Sequence, residues 1–478
     1  MLNTLINQGY IVDAANISFL LHPEQYQQKL VELISNAKQR ILMNCLYLEN
    51  DESGQVIMDA LIAAVKQNPY LHVDIFMDLH RAQRSRMGEQ KCQTNAAWYF
   101  KQLSQLNQDL VAQHQLARNP INIHGVPCNA LELFGVYHVK GYVFDNTLLY
   151  SGASINNNYC AYKTYRQDRY QVIVDQDLAT AFYNFVMTNF ASELPADLAP
   201  SALASQAASA IQVFSQKLAA KPDKAQRAIF RKFRQQVLAS NQLQYQQVAS
   251  SQTNRAHNLV PGAVMITPVF GIGKNNPLNQ AIFDAIDMAR HNINIYTPYF
   301  NFNKKLTKHL ISQCKKGVKV RIVLSDKVAN DFYADPQQEN YTSANSLPYL
   351  YELNLRKFLL KNQDLINNGS LEVFAWKHDT NSYHAKGLEI DSTVHIWTGS
   401  NLNQRSFNID AENALIVYDP YKQLESKVAT ETQFMLQHVT KLTSYTQIEQ
   451  TKDYPVRVKQ TLRRAKFFFI DKLAKRLF

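Results

Sequence analysis

The sequence predicts an α/β fold made of two duplicated lobes related by a pseudo-two-fold axis, with basic helical elements attached. Three observations predict it. The stretch "YHVKGYVFD" at 137–145 returns as "YHAKGLEID" at 383–391. Each copy follows the same upstream pattern: a helix end running into a strand ("ISNAKQRILMNCLYLEN" and "IDMARHNINIYTPYFN"), a helical stretch, then a second strand ("LHVDIFMDLHR" and "VKVRIVLSDK"). Those second strands end at Asp78 and Asp326, whose spacing is within two residues of that between His138 and His384.

Alternating β-branched and apolar residues after a turn-forming basic segment mark strands. Strands separated by helices point to parallel pairing through crossovers. The expected organisation is a first lobe over 1–194 (motif 137–156), a linker with a basic helical insertion over 195–260, a second lobe over 261–450 (motif 383–403), and a basic amphipathic tail over 451–478. The Ala- and Ser-rich stretch "PADLAPSALASQAASAIQVFSQKLAA" supplies the linker composition.

The 478 residues are 46% hydrophobic, enough for a large core. The net charge of +11 implies an anionic partner, and nucleic acid and acidic lipid suit it equally. Five scattered cysteines, Cys45, Cys92, Cys128, Cys160 and Cys314, form neither a disulfide framework nor a zinc pattern. The first residues lack the pattern of an export signal, and no uninterrupted apolar run reaches 18 residues, so membrane contact is expected from one side.

Two segments fit such contact. In "KPDKAQRAIFRKFRQQVL" (221–238), Arg227, Arg231 and Arg234 share one helical face and Phe230, Phe233 and Val237 another. A surface helix packed by its Phe stripe and an interfacial helix both match. The tail "PVRVKQTLRRAKFFFIDKLAKRLF" (455–478) holds eight Lys or Arg and one acid, Asp471. Its apolar spacing and three consecutive phenylalanines favour an anionic lipid surface over docking on its own domain.

The repeated motif carries the chemistry. In a strand, His138 and Lys140 share a face, as do His384 and Lys386. Lobes packed about a two-fold axis bring two imidazoles and two ammonium groups to one small space between them. Such a cluster requires an anion, and a phosphodiester is the natural occupant. One neutral imidazole attacks phosphorus, the other, protonated, serves the leaving oxygen, and the lysines neutralise non-bridging oxygens. Downstream, "SGASINN" supplies Gly152, Ser154 and Asn156, and "TGSNLNQ" supplies Gly399, Ser400 and Asn403, as substrate-binding candidates. Asp168 or Glu412 could orient an imidazole, as the acid of a triad does. His80, His124, His291, His309, His378 and His395 read as ordinary surface or core residues. No cluster of metal ligands is visible, and the lysines already supply positive charge, so no metal or cofactor is expected.

The paired "HVKGYVFD" and "HAKGLEID" segments, each with a trailing Gly and Ser/Asn stretch, resemble the two signature motifs of the phospholipase D superfamily. The wider context "GVYHVKGYVFDNTLLYSGASINNNY" followed by "YRQDRY" is similar to its bacterial CDP-diacylglycerol–serine O-phosphatidyltransferase branch. The resemblance covers nearly the whole chain. It implies a two-lobed α/β fold, a phosphohistidine intermediate, and the catalytic set His138, Lys140, Asp145, His384, Lys386 and Asp391. It implies His138 as nucleophile and His384 as general acid, with Asp145 and Asp391 supporting the motif.

The substrates it implies are CDP-diacylglycerol and L-serine, with anionic membrane lipids as partners. The implied place is the cytoplasmic face of the inner membrane. Another phosphatidyltransferase, such as a cardiolipin synthase, would use the same histidines but usually carries N-terminal spans. A nuclease of the superfamily suits the charge but leaves the Phe-rich tail without a use. Two departures from the usual pattern are Ala153 in the first copy and one extra residue between Asp391 and Gly399, which requires a different turn.

Overall fold

The computed structural model describes residues 2–85, 93–129, 132, 135–191, 258–339 and 341–467. The first lobe is a seven-stranded sheet. Its spatial order is Ile17–Leu20, Tyr170–Val174, Thr147–Ser151, Gly141–Phe144, Arg40–Asn44, His72–Asp78 and Ile121–Val126. The second is nine-stranded: Tyr10–Asp13, Ala263–Ile272, Ala411–Tyr418, Val394–Thr398, Gly387–Ile390, Asn292–Thr297, Lys319–Ser325, Leu371–Trp376 and Val439–Lys441.

Without its two outermost strands, the second sheet repeats the first strand for strand. In each, Arg40–Asn44 or Asn292–Thr297 pairs parallel with the strand one crossover later and antiparallel with the strand of the motif. The helices Glu52–Gln67 and Lys304–Lys315 make these crossovers. Asp51 starts the first by accepting from Gly54 N at 2.8 Å, and its other oxygen accepts from Asn157 N at 2.8 Å. One carboxylate thus caps a helix and anchors the loop that follows the first motif.

The lobes share a core. Tyr137, Val139, Leu148 and Tyr150 of the first pack in one buried cluster with Trp397, Leu415 and Val417 of the second. Tyr150 and Thr398 both donate to Asn413 O, at 3.0 and 2.8 Å. The duplication is therefore a single apolar body with the motifs facing across its middle.

Two expectations need correction. The strand Tyr10–Asp13 belongs to the second sheet, paired with Ala263–Ile272, and Leu2, Leu5 and Ile6 lie in the second lobe's core. The lobe expected over 1–194 therefore begins near Ile17. His138, Lys140, His384 and Lys386 are not inside strands, because the strands of their own sheets start only at Gly141 and Gly387. The tail starts as a helix, Val456–Phe467, one side of which docks on the second lobe: Tyr454, Val458 and Leu462 pack with Tyr341 and Tyr349. Arg457 adds a hydrogen bond to Gln338 O at 2.8 Å. The basic segment 221–238, Cys92 and residues 468–478 lie outside the described residues.

The extra residue of the second copy has the effect the sequence implies. Asp145 and Asn146 alone join Gly141–Phe144 to Thr147–Ser151, whereas Asp391, Ser392 and Thr393 join Gly387–Ile390 to Val394–Thr398.

Candidate active site

Each motif segment leaves its own sheet to pair with the other lobe. Tyr137 bridges Ala411 in parallel, with His138 N donating to Ala411 O at 2.9 Å. Symmetrically, Ser382–Tyr383 pairs parallel with Arg166–Gln167, and His384 N donates to Gln167 O at 2.8 Å. The residue after each partner is an acid. The pairing therefore places Glu412 beside His138 and Asp168 beside His384, each acid serving the histidine of the opposite lobe.

The contacts are direct. His138 Nδ1 lies 2.9 Å from Glu412 Oε2. His384 Nδ1 lies 3.4 Å from Asp168 Oδ2, 2.7 Å from the Tyr159 hydroxyl, and against Lys386 Nζ. Lys386 Nζ also donates to Asp168 Oδ2 at 2.8 Å, while Lys140 Nζ donates to Ser154 Oγ at 3.0 Å. Asn413 clamps the backbone of Lys140 from both sides, accepting from its N–H and donating to its carbonyl, each at 2.8 Å.

Gly152 and Gly399 have a use that their sequence does not suggest. A Cβ on Gly152 would fall 2.9 Å from Lys386 Nζ, and one on Gly399 would fall 2.7 Å from Lys140 Cγ. Each glycine makes room for the opposite lobe's lysine.

Other candidates are turned inward. Asp145 accepts from Lys38 N, Gln39 N and Arg40 N at 2.7, 2.9 and 3.0 Å. Asp391 accepts from Arg290 N, His291 N and Asn292 N at 2.7, 2.8 and 2.8 Å. Both fasten the hairpin turn to the start of the neighbouring strand, away from the imidazoles. Asn403 caps the short helix Gln404–Asn408 through Ser406 N at 2.9 Å. Ser400 Oγ accepts from Leu402 N at 3.3 Å, and Asn156 Oδ1 accepts from Tyr159 N at 3.0 Å. Their polar atoms hold loops, as Gly, Ser and Asn at turns often do.

Lys140 and Lys386 are each only 1% exposed, so their charges lack water to solvate them. Burial lowers the Lys140 ammonium to about 7, with Lys386 contributing. Burial and Lys140 hold the His138 imidazole well below its ordinary value, and burial and Lys386 bring His384 down to about 4. Burial pushes the Glu412 carboxyl well up. Burial opposes the charge of Asp168 too, but Lys386 and His384 outweigh it and keep that carboxyl below its usual range. Held low in this way, both imidazoles are neutral at pH 7, and an incoming anion raises them and both lysines. Among the described residues, no group of three or more His, Cys, Asp or Glu has metal-holding geometry, and no helix is long and apolar enough to cross a membrane.

Sequence reasoning missed Tyr159, Tyr299, Asp331 and Arg166 around His384. Tyr299 OH lies 3.2 Å from His384 Nε2 and donates to Asp331 Oδ1 at 2.7 Å. The duplication held a signal for Tyr299. Arg40 and Asn292 are equivalent, each hydrogen-bonding the turn aspartate, and Tyr47 and Tyr299 follow them at the same distance.

Comparison with known proteins agrees with this architecture. A family model described as "Cardiolipin synthase, PLD-like domain" matches residues 282–436. The chain is 36% identical to the CDP-diacylglycerol–serine O-phosphatidyltransferase of Haemophilus influenzae, over 97% of this chain and 95% of that protein. It is 34% identical to the Escherichia coli enzyme of the same name, over 97% and 94%. The crystal structure of the Haemophilus influenzae phosphatidylserine synthase superposes with a TM-score of 0.85, covering 100% of this chain and 99% of that one. Taken with the paired His-Lys motifs and the duplicated sheets, these matches show that the chain belongs to the CDP-diacylglycerol–serine O-phosphatidyltransferase family, within the phospholipase D superfamily.

Proposed function

We propose that this protein transfers the phosphatidyl group of CDP-diacylglycerol to L-serine through a phosphohistidine. The observation that carries the mechanism is the pair of imidazoles beside acids of the opposite lobe, with two buried lysines close by. Glu412 and His138 share one proton along their hydrogen bond. With it on Nδ1, the Nε2 lone pair is bare, and among the described residues Nε2 has no hydrogen-bond partner. His138 is therefore the nucleophile and His384, shared among Asp168, Tyr159 and Tyr299, the proton carrier.

In the first step, His138 Nε2 forms a bond to the phosphorus that bears diacylglycerol. The P–O bond to CMP breaks, and protonated His384 gives its Nε2 proton to the leaving oxygen. In the second, neutral His384 takes the serine hydroxyl proton as that oxygen attacks phosphorus, and the P–N electron pair returns to His138. Lys140 and Lys386 neutralise the non-bridging oxygens. Two displacements retain configuration at phosphorus, and water in place of serine yields phosphatidic acid.

The lipid substrate requires the protein to work at a bilayer surface. The exposed Arg463 and Arg464 of the docked helix, with the basic residues that follow, suit anionic headgroups. The test uses purified protein, CDP-diacylglycerol in mixed micelles, L-serine and EDTA. Phosphatidylserine and CMP formed with the chelator present, and lost in His138→Ala, support the reading. No turnover of CDP-diacylglycerol overturns it.

A further inference from the structure

Asp331 has no part in the two-step chemistry, yet it stands beside it. It follows the strand Lys319–Ser325, and its Oδ1 accepts from the Tyr299 hydroxyl that faces His384 Nε2. Its Oδ2 faces Arg166 Nη1 at 3.7 Å, longer than a hydrogen bond. The two side chains keep 14% and 11% exposure, whereas Asp168, Lys386 and Glu412 keep at most 3%. Arg166 is held by Ser382 Oγ at 3.3 Å and lies over the Tyr159 ring, 4.8 Å from its centre.

A carboxylate beside a phosphodiester site repels the substrate unless a cation accompanies it. Arg166 does part of this, and together with His384 and the Tyr299 hydroxyl it outweighs burial to keep the Asp331 carboxyl below its usual range. The loose contact with Arg166 leaves both groups with unused hydrogen-bonding capacity at the accessible end of the His384 cluster. An acceptor whose hydroxyl reaches His384 Nε2 places whatever its next carbon carries at this pair.

We infer that Asp331 and Arg166 form the acceptor subsite. Asp331 receives the ammonium, and Arg166 the carboxylate, of a β-hydroxy amino acid whose hydroxyl is presented to His384. This rests on the proposed transfer to serine. It gives that transfer its selectivity: an acceptor bearing a phosphate would bring a second anion against Asp331, and one lacking the ammonium would leave that carboxylate buried and unpaired by substrate.

The experiment measures acceptor kcat/KM with CDP-diacylglycerol for L-serine, 3-hydroxypropanoate, ethanolamine and glycerol 3-phosphate, with hydrolysis followed in parallel. In the wild-type protein, 3-hydroxypropanoate is expected about 100-fold or more below serine, since a site built for a polar group rejects the analogue lacking it. Asp331→Asn narrows that gap at least tenfold and lowers transfer relative to hydrolysis. Arg166→Gln narrows the serine-to-ethanolamine gap instead. Tyr299→Phe cuts the link to His384 and slows the reaction with the acceptor ratios kept.

The inference is overturned if the wild-type protein uses 3-hydroxypropanoate within a few-fold of serine, a result independent of any variant. It is also overturned if Asp331→Asn lowers transfer and hydrolysis in equal proportion. Hydrolysis of CDP-diacylglycerol by the wild-type protein with no phosphatidylserine formed removes the serine reading itself, and the subsite with it.

Discussion

Glu412 of the second lobe meets His138 of the first, Oε2 to Nδ1, at 2.9 Å. The contact arises because Tyr137–His138 bridges the backbone at Ala411, one residue before the acid. Neither histidine finds its acid within its own lobe. The duplication thus builds one site from two incomplete halves.

Replacing this acid tests the orientation. Glu412→Gln lets the amide donate to Nδ1 and stabilise the wrong tautomer, and kcat is expected to fall on the order of 10²- to 10⁴-fold. A rapid-quench measurement of phosphoenzyme formation should show the loss in the first step.

Gly152→Ala and Gly399→Ala should displace the lysine of the opposite lobe, since each added Cβ falls within 2.9 Å of it. A shift of about 1 Å in a reacting group costs on the order of 100-fold, so kcat is expected to fall by that order. A thermal melt near the wild-type value would assign the loss to the site rather than to unfolding.

The turn aspartates carry a stability prediction. Asp145 and Asp391 each accept three backbone N–H groups at φ of 50° and 53°, a left-handed conformation that alanine tolerates poorly. Alanine at either should cost about 2 kcal/mol or more in denaturant unfolding. The loss of kcat should be far smaller than in His138→Ala.

The pH dependence follows from Lys140, which burial brings to about 7 in the free protein. As pH rises through that value the ammonium is lost, and kcat/KM for CDP-diacylglycerol should fall. Bound phosphodiester raises the same pKa, so the basic limb of kcat should lie at higher pH than that of kcat/KM. Coincident limbs would assign the titration elsewhere.

Much of the fold was legible because duplication writes the same strand–helix–strand order twice, and each copy supports the other. The His-Lys pairs were legible because their spacing is local. The crossing of Glu412 to His138 and of Asp168 to His384 was not, because it depends on which backbone each motif segment joins across the lobes. The use of Gly152 and Gly399 was hidden for the same reason, since the lysine each accommodates is more than two hundred residues away. Asp331 escaped notice because it sits in a loop outside the repeat and meets Tyr299 only through folding. The strand Tyr10–Asp13 crosses to the second sheet on pairing that composition does not encode.

The two-step transfer stands or falls with a covalent intermediate on His138, formed in a site shared by both lobes. The most direct measurement mixes the protein with CDP-diacylglycerol radiolabelled in its lipid-side phosphate, without serine, and quenches in base within milliseconds. The expected result is a base-stable, acid-labile phosphoryl label that maps to the peptide holding His138, is chased by L-serine into phosphatidylserine, and is absent in His138→Asn. Label on the peptide of His384, or turnover without any covalent label, would contradict it.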